Sequence, residues 1–391
     1  MHVLIAFDKF KDSLSAAEAG AAAARALAQA HPDWTLDLCP LADGGEGFAS
    51  LLTHAAGGDW KAVRVTGPLG ERREAAFGRV ALGSIPRAAR ARLGVAELGP
   101  DADSAARTPR RNVAVIEMAS ASGLALVPPG ERDPWRATSR GTGELIRAAA
   151  DAGVAAILLG VGGSATHDLG LGALGALGFD FWTAAGERCE LPVPARWEEL
   201  VRIGGRMPAL PPIRIACDVA NPLLGPRGAA AVYGPQKGLL AGDLKRLERQ
   251  SERMAGLLAE HCSQPLGLAE VPGAGAAGGI AFGLMVAARA KLLPGFELIA
   301  DWLDLGTRIA AADLVLTGEG RFDASSRQGK GPGALVARAQ ALGKPVHVFA
   351  GQVTSALRGA KLHAITPAGM PLDEALRSAE GLLAAAVSGA F

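Results

Sequence analysis

Short apolar runs that stop at Gly, Asp or Ser recur along this chain, and they restrict its fold more than any other feature. The runs are "HVLIAFD", "TLDLCPLADGG", "VAVIEMASASG", "AAILLGVGGS", "IRIACDV", "ADLVLTGEG" and "PVHVFAGQ". Ala-rich segments of helical composition lie between several of them, over 15–30, 141–152, 240–261 and 332–342. Continuous apolar strands alternating with helices indicate a mostly parallel sheet in an α/β fold. The first helical segment opens with a capping signal, Ser15 followed three residues on by Glu18.

Residues 63–111 break this rhythm, because "VRVTGPLGERREAAFGRVAL" carries strand and turn signals without a long helix. Two α/β strands, at 3–8 and 36–42, precede it, and three strand signals follow at 313–317, 345–350 and 362–366. Joined by helices, these five would form one flavodoxin-like parallel sheet. The expected architecture is α/β in two domains. Residues 1–62 with 291–391 form the flavodoxin-like domain, and a second α/β domain, 63–290, is inserted in it. A chain of 391 residues has room for two or three domains at roughly 100–200 residues each. The Pro-rich stretch 184–212 reads as irregular surface.

Composition removes several function classes. Hydrophobic residues make up 49%, enough for a real core. Forty basic and 39 acidic residues leave a net charge of +1, with no long basic tract and a single Tyr, so nucleic acid is not an expected partner. The four cysteines, Cys39, Cys189, Cys217 and Cys262, are widely spaced without a CxxC and read as thiols rather than a disulfide or zinc framework. No uncharged apolar stretch reaches the ~18–20 residues of a membrane span, and "MHVLIAFDKFKDS" suits neither a signal peptide nor an anchor. A cytoplasmic location with no membrane partner is expected. Nothing sets the oligomeric state, and a homodimer is compatible with it.

Open α/β sheets bind ligands outside the carboxyl ends of their strands. Residues just past each apolar run therefore form the candidate site: Asp8 and Lys11; Asp43 and Glu46; Glu117, Ser120 and Ser122; Gly162, Gly163, Ser164, Thr166 and Asp168; Asp218 and Asn221; Glu319, Arg321 and Asp323. Acids, glycines and cations at strand ends suit phosphoryl transfer, which needs carboxylates near Mg²⁺, backbone N–H groups for phosphates and a group to receive the attacking hydroxyl's proton. "GVGGSATHD", 160–168, is the first phosphate candidate. It also fits the G-x-G-x-x-A outline of a dinucleotide fingerprint, with Asp180 20 residues past Gly160, but lacks a clear helix and strand behind it. "GAGAAG", 273–278, reads as a Gly-rich loop opening a helix, serving either anion binding or close packing. In "TSRGTGELI", Arg140 could clamp a carboxylate or phosphate. Lys330 is a further cation, and His167 reads as a plain polar loop residue. No P-loop motif occurs.

In order along nearly the whole chain, "IAFDKFKDSLSA", "PLADGGEG", "VTGPLG", "IEMASASGL", "TSRGTGELI", "GVGGSATHD", "ACDVANPL", "GPQKG", "VPGAGAAGG" and "LTGEGRFD" resemble the motifs of the type-I glycerate kinase family. The resemblance implies a two-domain, Mg²⁺-dependent enzyme that transfers phosphate from ATP to D-glycerate, usually giving 2-phospho-D-glycerate. Lys9, His167, Leu169 and Gln328 depart from the family pattern, and they bear on substrate contacts more than on reaction class.

The role assignments that follow are expectations. Asp43 binds Mg²⁺ and Glu46 assists, on a loop that its glycines let fold tightly. Arg140 and Lys11 receive the substrate carboxylate, with Ser120 and Asn221 nearby. Asp8, Asp168 and Asp218 compete to accept the hydroxyl proton. Phosphates lie on Gly162, Gly163, Ser164 and Thr166 or on Gly275 and Gly278, with Glu319 beside the nucleotide. Arg321 stabilises the transferred group, and closure of the two domains over an interdomain cleft excludes water. The alternatives are a 3-phosphorylating glycerate kinase, an NAD-dependent hydroxyacid dehydrogenase and a non-catalytic ligand-binding protein.

Overall fold

The computed structural model describes residues 1–42, 44–95, 111–323, 326 and 331–391. Along the chain its strands are β1 (His2–Phe7), β2 (Thr35–Leu38), β3 (Asp59–Thr66), β4 (Arg72–Ala81), β5 (Asn112–Glu117), β6 (Ala156–Gly160), β7 (Phe179–Thr183), β8 (Leu200–Gly205), β9 (Ile213–Ala216), β10 (Lys291–Leu293), β11 (Leu314–Phe322), β12 (Val346–Val353) and β13 (Lys361–Ala364). They fall into two compact units, Met1–Asp43 with Phe296–Phe391, and Gly44–Gly295. Among the described residues, no helix is long and apolar enough to cross a membrane.

The first unit holds five parallel strands in the order β13-β12-β11-β1-β2. Renumbered within the unit and read from the other edge, this is 2-1-3-4-5, the flavodoxin order. Central β1 places Val3, Ile5 and Phe7 in the core. The helix Ala16–Ala30 begins with the expected capping box, in which the Ser15 side chain accepts from Glu18 N–H and the Glu18 carboxylate accepts from Ser15 N–H. Its inner face is Ala19, Ala22, Ala23, Ala26 and Leu27. Such small side chains let a helix lie close to a sheet, and here they share a core with β1, β11 and the last helix, Ala379–Ser388.

The second unit has a six-stranded mixed sheet, β10-β9-β6-β5-β4-β3. The hairpin β3–β4 is antiparallel and also meets β5 antiparallel, which explains the missing long helix there. Strands β5, β6, β9 and β10 are parallel, so their carboxyl ends share one edge. The chain divides nearer to 43/44 and 295/296 than to 62/63 and 290/291. The reason is pairing: β3 begins at Asp59 beside β4, and β10 lies beside β9. The stretch 184–212 is likewise more ordered than its prolines suggest. Trp197 is fully buried within it and donates its indole N–H to Pro192 O at 2.9 Å, and β8 follows.

Two neighbouring polar side chains sit inside the second unit. Asp168 is fully buried, and its carboxylate accepts from Ser139 N–H (2.7 Å), Ser139 Oγ (2.8 Å), Gly170 N–H (3.1 Å) and Gly172 N–H (3.2 Å). This knot ties the loop after β6 to the start of the helix Arg140–Asp151. His167 is not a solvated loop residue either: it is 1% exposed, and its Nε2 lies 3.1 Å from Ser251 Oγ on the helix Leu244–His261. Burial, aided by the nearby Lys237, lowers the His167 pKa to about 3.

A base whose folded pKa is depressed is neutral in the fold and charges on unfolding. His167 therefore contributes fully above its unfolded value, near 6.5, and its contribution is lost as pH falls from there toward 3. The most one such group can remove is about 1.4 kcal/mol per pH unit, or roughly 3 kcal/mol between about pH 7 and pH 4. Denaturant unfolding across that range should show a shallower acid-side loss in His167→Asn than in the native chain. Equal slopes in the two proteins would assign the acid sensitivity to other groups.

Candidate functional site

In the first unit the topological switch lies between β1 and β11, from which successive connections run to opposite sides of the sheet. Asp8 follows β1 directly. It is 8% exposed, its N–H donates to Gly318 O at 2.9 Å, and its carboxylate accepts from Lys9 N–H at 2.7 Å. The chain then makes a tight turn closed by paired Phe10 and Leu14 backbone bonds, with Asp12 left-handed at φ 64° and Lys11 exposed. Gly320 lies beneath that turn, where a Cβ would come 3.2 Å from Lys11 N. Further along β11 and past its end come half-buried Glu319, exposed Arg321 and half-buried Asp323. Arg321 Nε is 3.4 Å from Asp323 Oδ2, a loose pair on a 64% exposed side chain; such exposed pairs contribute little and leave the cation available. Gly331 opens the helix Gly331–Ala341, and a Cβ there would meet Asp8 Oδ2 at 3.0 Å. The switch point thus gathers three carboxylates and two cations. Oxygen donors of this kind suit Mg²⁺, which takes one or two carboxylates and completes its shell with phosphate and water. No group of three or more His, Cys, Asp or Glu among the described residues could hold a metal alone.

The second unit's edge is built by glycines in contact. A Cβ on Gly160 would lie 2.6 Å from Gly44 O, and one on Gly162 2.5 Å from the Gly45 Cα. Gly162 N–H donates to Gly44 O at 3.1 Å, and Gly44 and Gly47 are left-handed at φ 78° and 90°. The glycines of "DGGEG" and "GVGG" therefore serve each other: the two loops stack backbone on backbone over the ends of β6 and β9. Glu46 is exposed on the first loop. Asp43, Gln328 and Lys330 lie outside the described residues.

Beyond Gly163 (φ 71°) the second loop turns inward. Ser164 is 6% exposed, and Thr166 is fully buried with no partner for its Oγ1 among the described residues. Under both lies Lys237, 2% exposed, whose ammonium donates to Ser164 Oγ at 3.0 Å and to Thr166 O at 2.6 Å. Burial lowers its pKa to about 7, against the pull of Asp168. Lys237 is absent from the residues selected at strand ends, because it lies in a short 3₁₀ turn, Pro235–Lys237. Its only sequence signal is the motif "GPQKG".

Several selected residues have structural work instead. Ser120 Oγ donates to Glu117 O at 2.8 Å, and the Glu117 carboxylate accepts from Ala49 N–H at 3.2 Å. Arg140 pairs with Glu144 at 3.4 Å and donates to Glu190 O at 3.2 Å, so its guanidinium is engaged inside the unit. Both ends of the Asn221 amide are used, one donating to Arg227 O at 2.8 Å and the other accepting from Tyr233 OH at 2.6 Å. Half-buried Asp218 packs on Gly295, where a Cβ would lie 2.7 Å from Oδ2. Asp168, enclosed by its four donors, has the surroundings of a positioning carboxylate rather than of a proton acceptor. Gly275 and Gly278 are packing glycines, with Cβ positions 2.2 Å from Pro222 O and 2.0 Å from Thr166 O. The fingerprint outline at 160–165 has no dinucleotide-binding context. A six-residue helix, Leu171–Ala176, follows it, and β7 then pairs antiparallel with β8 outside the main sheet.

The glycerate kinase family model matches residues 3–390. The chain is 37% identical to the glycerate kinase of Halalkalibacterium halodurans, over 97% of this chain and 95% of that protein. It is also 37% identical to the glycerate 2-kinase of Escherichia coli, over 97% and 94%. A crystal structure given as a candidate glycerate kinase 2 from Salmonella typhimurium LT2 superposes with a TM-score of 0.75 at 37% identity, over 100% of this chain and 97% of that one. A family match spanning nearly every residue, on a fold whose switch point gathers acids and cations, leaves one assignment: the chain belongs to the glycerate kinase family.

Proposed function

We propose that this enzyme phosphorylates D-glycerate on its 2-hydroxyl, with ATP as donor and Mg²⁺ as the metal, giving 2-phospho-D-glycerate and ADP. The observation that carries the reading is the likeness along nearly the full length to a relative whose name specifies the 2-kinase. Use of ATP fits a cytoplasmic enzyme. In the reaction the 2-oxygen bonds to the γ-phosphorus, the bond to the ADP oxygen breaks, and the hydroxyl proton passes to a carboxylate. Asp8 is our acceptor: it sits at the switch point and retains some exposure, whereas Asp168 is enclosed. Lys11, exposed on its turn, binds the substrate carboxylate, a role that Arg140 is too engaged to share. Arg321 neutralises charge that develops on the transferred phosphoryl oxygens. The loop 162–166 supplies donors to an anionic group, and Glu319 lies on the nucleotide side. Asp43 and Glu46, with hard oxygen donors, would hold Mg²⁺, which when bound neutralises phosphate charge and orients the phosphoryl group.

The direct assay couples ATP, Mg²⁺ and D-glycerate to enolase and pyruvate kinase, with and without phosphoglycerate mutase. Signal without mutase is expected. Signal that requires mutase would move the attack to the 3-hydroxyl, and ADP formation absent altogether would refute the kinase reading.

The three aspartates separate by two readouts. Asp8→Asn should lower kcat by roughly 10²-fold or more with little change in Tm. Asp168→Asn should act chiefly on Tm, because it sets an amide NH₂ against existing donors at a cost of about 3 kcal/mol. Asp218→Asn should change kcat far less than Asp8→Asn. A kcat loss concentrated in Asp218→Asn would transfer the proton-acceptor role to that residue. Arg321→Ala should reduce kcat by roughly 10²–10³-fold with a smaller rise in KM. A raised KM with kcat intact would make Arg321 a binding residue.

A further inference from the structure

Lys237 has no role in the reading above, yet it is a buried cation with a defined geometry. An ammonium carries three N–H donors and no acceptor. In its 3.0 Å contact the Ser164 oxygen must therefore accept, and the Ser164 hydrogen points elsewhere. No protein group among the described residues takes that hydrogen. Ser164 is 6% exposed, so only a small part of it can meet a ligand. It lies four residues past the end of β6, on the edge where a parallel sheet takes its ligands. Beside it, Thr166 Oγ1 is fully buried and also lacks a partner among the described residues.

The geometry points to Lys237 as a positioning residue that fixes Ser164 as a hydrogen-bond donor to an anionic oxygen of the substrates, in a nucleotide phosphate or a hydroxyacid carboxylate. The identity of those two anions rests on the kinase reading. Lys237 itself touches neither. Among the described residues only Ser164 Oγ and Thr166 O accept from it, and its surroundings hold it in place. Gly238, left-handed at φ 93°, follows it so closely on Arg132 that a Cβ would lie 2.0 Å from Arg132 O. Arg132, Asp133 and Ala165 line a narrow gap together with Lys237. Asp168 attracts the ammonium, and His167 next to it stays neutral. Burial brings the Lys237 pKa down to about 7. Below that value the ammonium donates and Ser164 must donate outward. Above it the neutral amine offers a lone pair, Ser164 can turn its hydrogen inward, and the loop loses a donor.

Calorimetry with a non-hydrolysable ATP analogue and, separately, with D-glycerate tests this in full-length native protein, Ser164→Ala, Lys237→Met and the double variant. Ser164→Ala should weaken one of the two ligands by about tenfold or more, and the ligand affected identifies the anion. Lys237→Met should weaken the same ligand, but add less than about twofold once Ser164 is Ala, because both changes remove one interaction. Native affinity for that ligand should fall several-fold between about pH 6 and pH 9, and that fall should be absent in Ser164→Ala. The pH comparison carries the test if Lys237→Met fails to fold. Binding of both ligands within about twofold of native by Ser164→Ala, or an equal pH dependence in the two proteins, overturns the inference. Turnover of the native enzyme is measured in parallel. Turnover with Ser164→Ala unaffected defeats the inference alone, and binding that responds to Ser164→Ala without any turnover defeats the kinase reading alone.

Discussion

The constraint on which the second unit depends is contact between backbones with nothing in between. Gly160 and Gly162 meet Gly44 and Gly45, Gly278 meets Thr166 and His167, and Gly143 meets Ala173, each so closely that a Cβ would fall within about 2.6 Å of main chain. Loops this close have no space for side chains and lock together through peptide groups, such as Leu169 N–H to Gly278 O at 3.0 Å. The turn above Thr166 adds three left-handed residues in succession, Ala277, Gly278 and Gly279. Ala277 there carries a penalty on the order of 1 kcal/mol that a glycine would escape. The result is a dense polar layer at one sheet edge. Asp168 and Lys237 are buried in it because peptide N–H and C=O groups surround them.

The first unit meets the same need for polar groups at a sheet edge by topology. Its central strands β1, β11 and β12 are buried along most of their length, so chemistry can reside only toward their ends. The order 2-1-3-4-5 makes the connections from β1 and β11 diverge, which leaves a crevice at those two ends. Asp8 and Lys11 flank it because they follow β1, and Glu319 and Arg321 because they lie on β11 beyond its last pair with β1, Phe7 with Gly318. Fold and chemistry are thus linked through chain position rather than through loop length.

Much of this was legible because it depends on local pattern. Apolar runs marked the strands, Ser15 and Glu18 marked a helix start, and the ends of β1 and β11 marked acids and cations. What escaped depends on contacts between distant segments. The glycines of 160–163 look like a phosphate loop from sequence, yet at least two of them exist for the loop at 44–47, more than a hundred positions away. Gly275 and Gly278 likewise answer to Pro222 and Thr166. Arg140 reads as a free clamp until Glu144 and the Glu190 carbonyl are seen around it. His167 and Lys237 carry no mark of burial, since polar residues in short turns are usually solvated. The unit boundary was displaced for the same reason, because β3 and β10 take their allegiance from strands paired with them rather than from their own composition.

The ends of the inserted unit bear on how such a chain is made. Gly44 lies against Ala216 O, its Cβ position 3.3 Å away, and Gly295 lies against Asp218, two residues further on. The first and last residues of a 252-residue insertion, 44 through 295, are thus held at the tip of the same strand, β9. Meanwhile Val3 of β1 must pair with Leu314 of β11 across the whole insertion. Closing so long a flexible loop costs roughly 5 kcal/mol in chain entropy. Once the second unit has folded, its ends are already side by side, and to the first unit it is only a short loop. During synthesis β1 and β2 emerge early, and β11, the other neighbour of β1, emerges only after the whole insertion. The resting places of two glycines thus set how long a loop the first unit has to close.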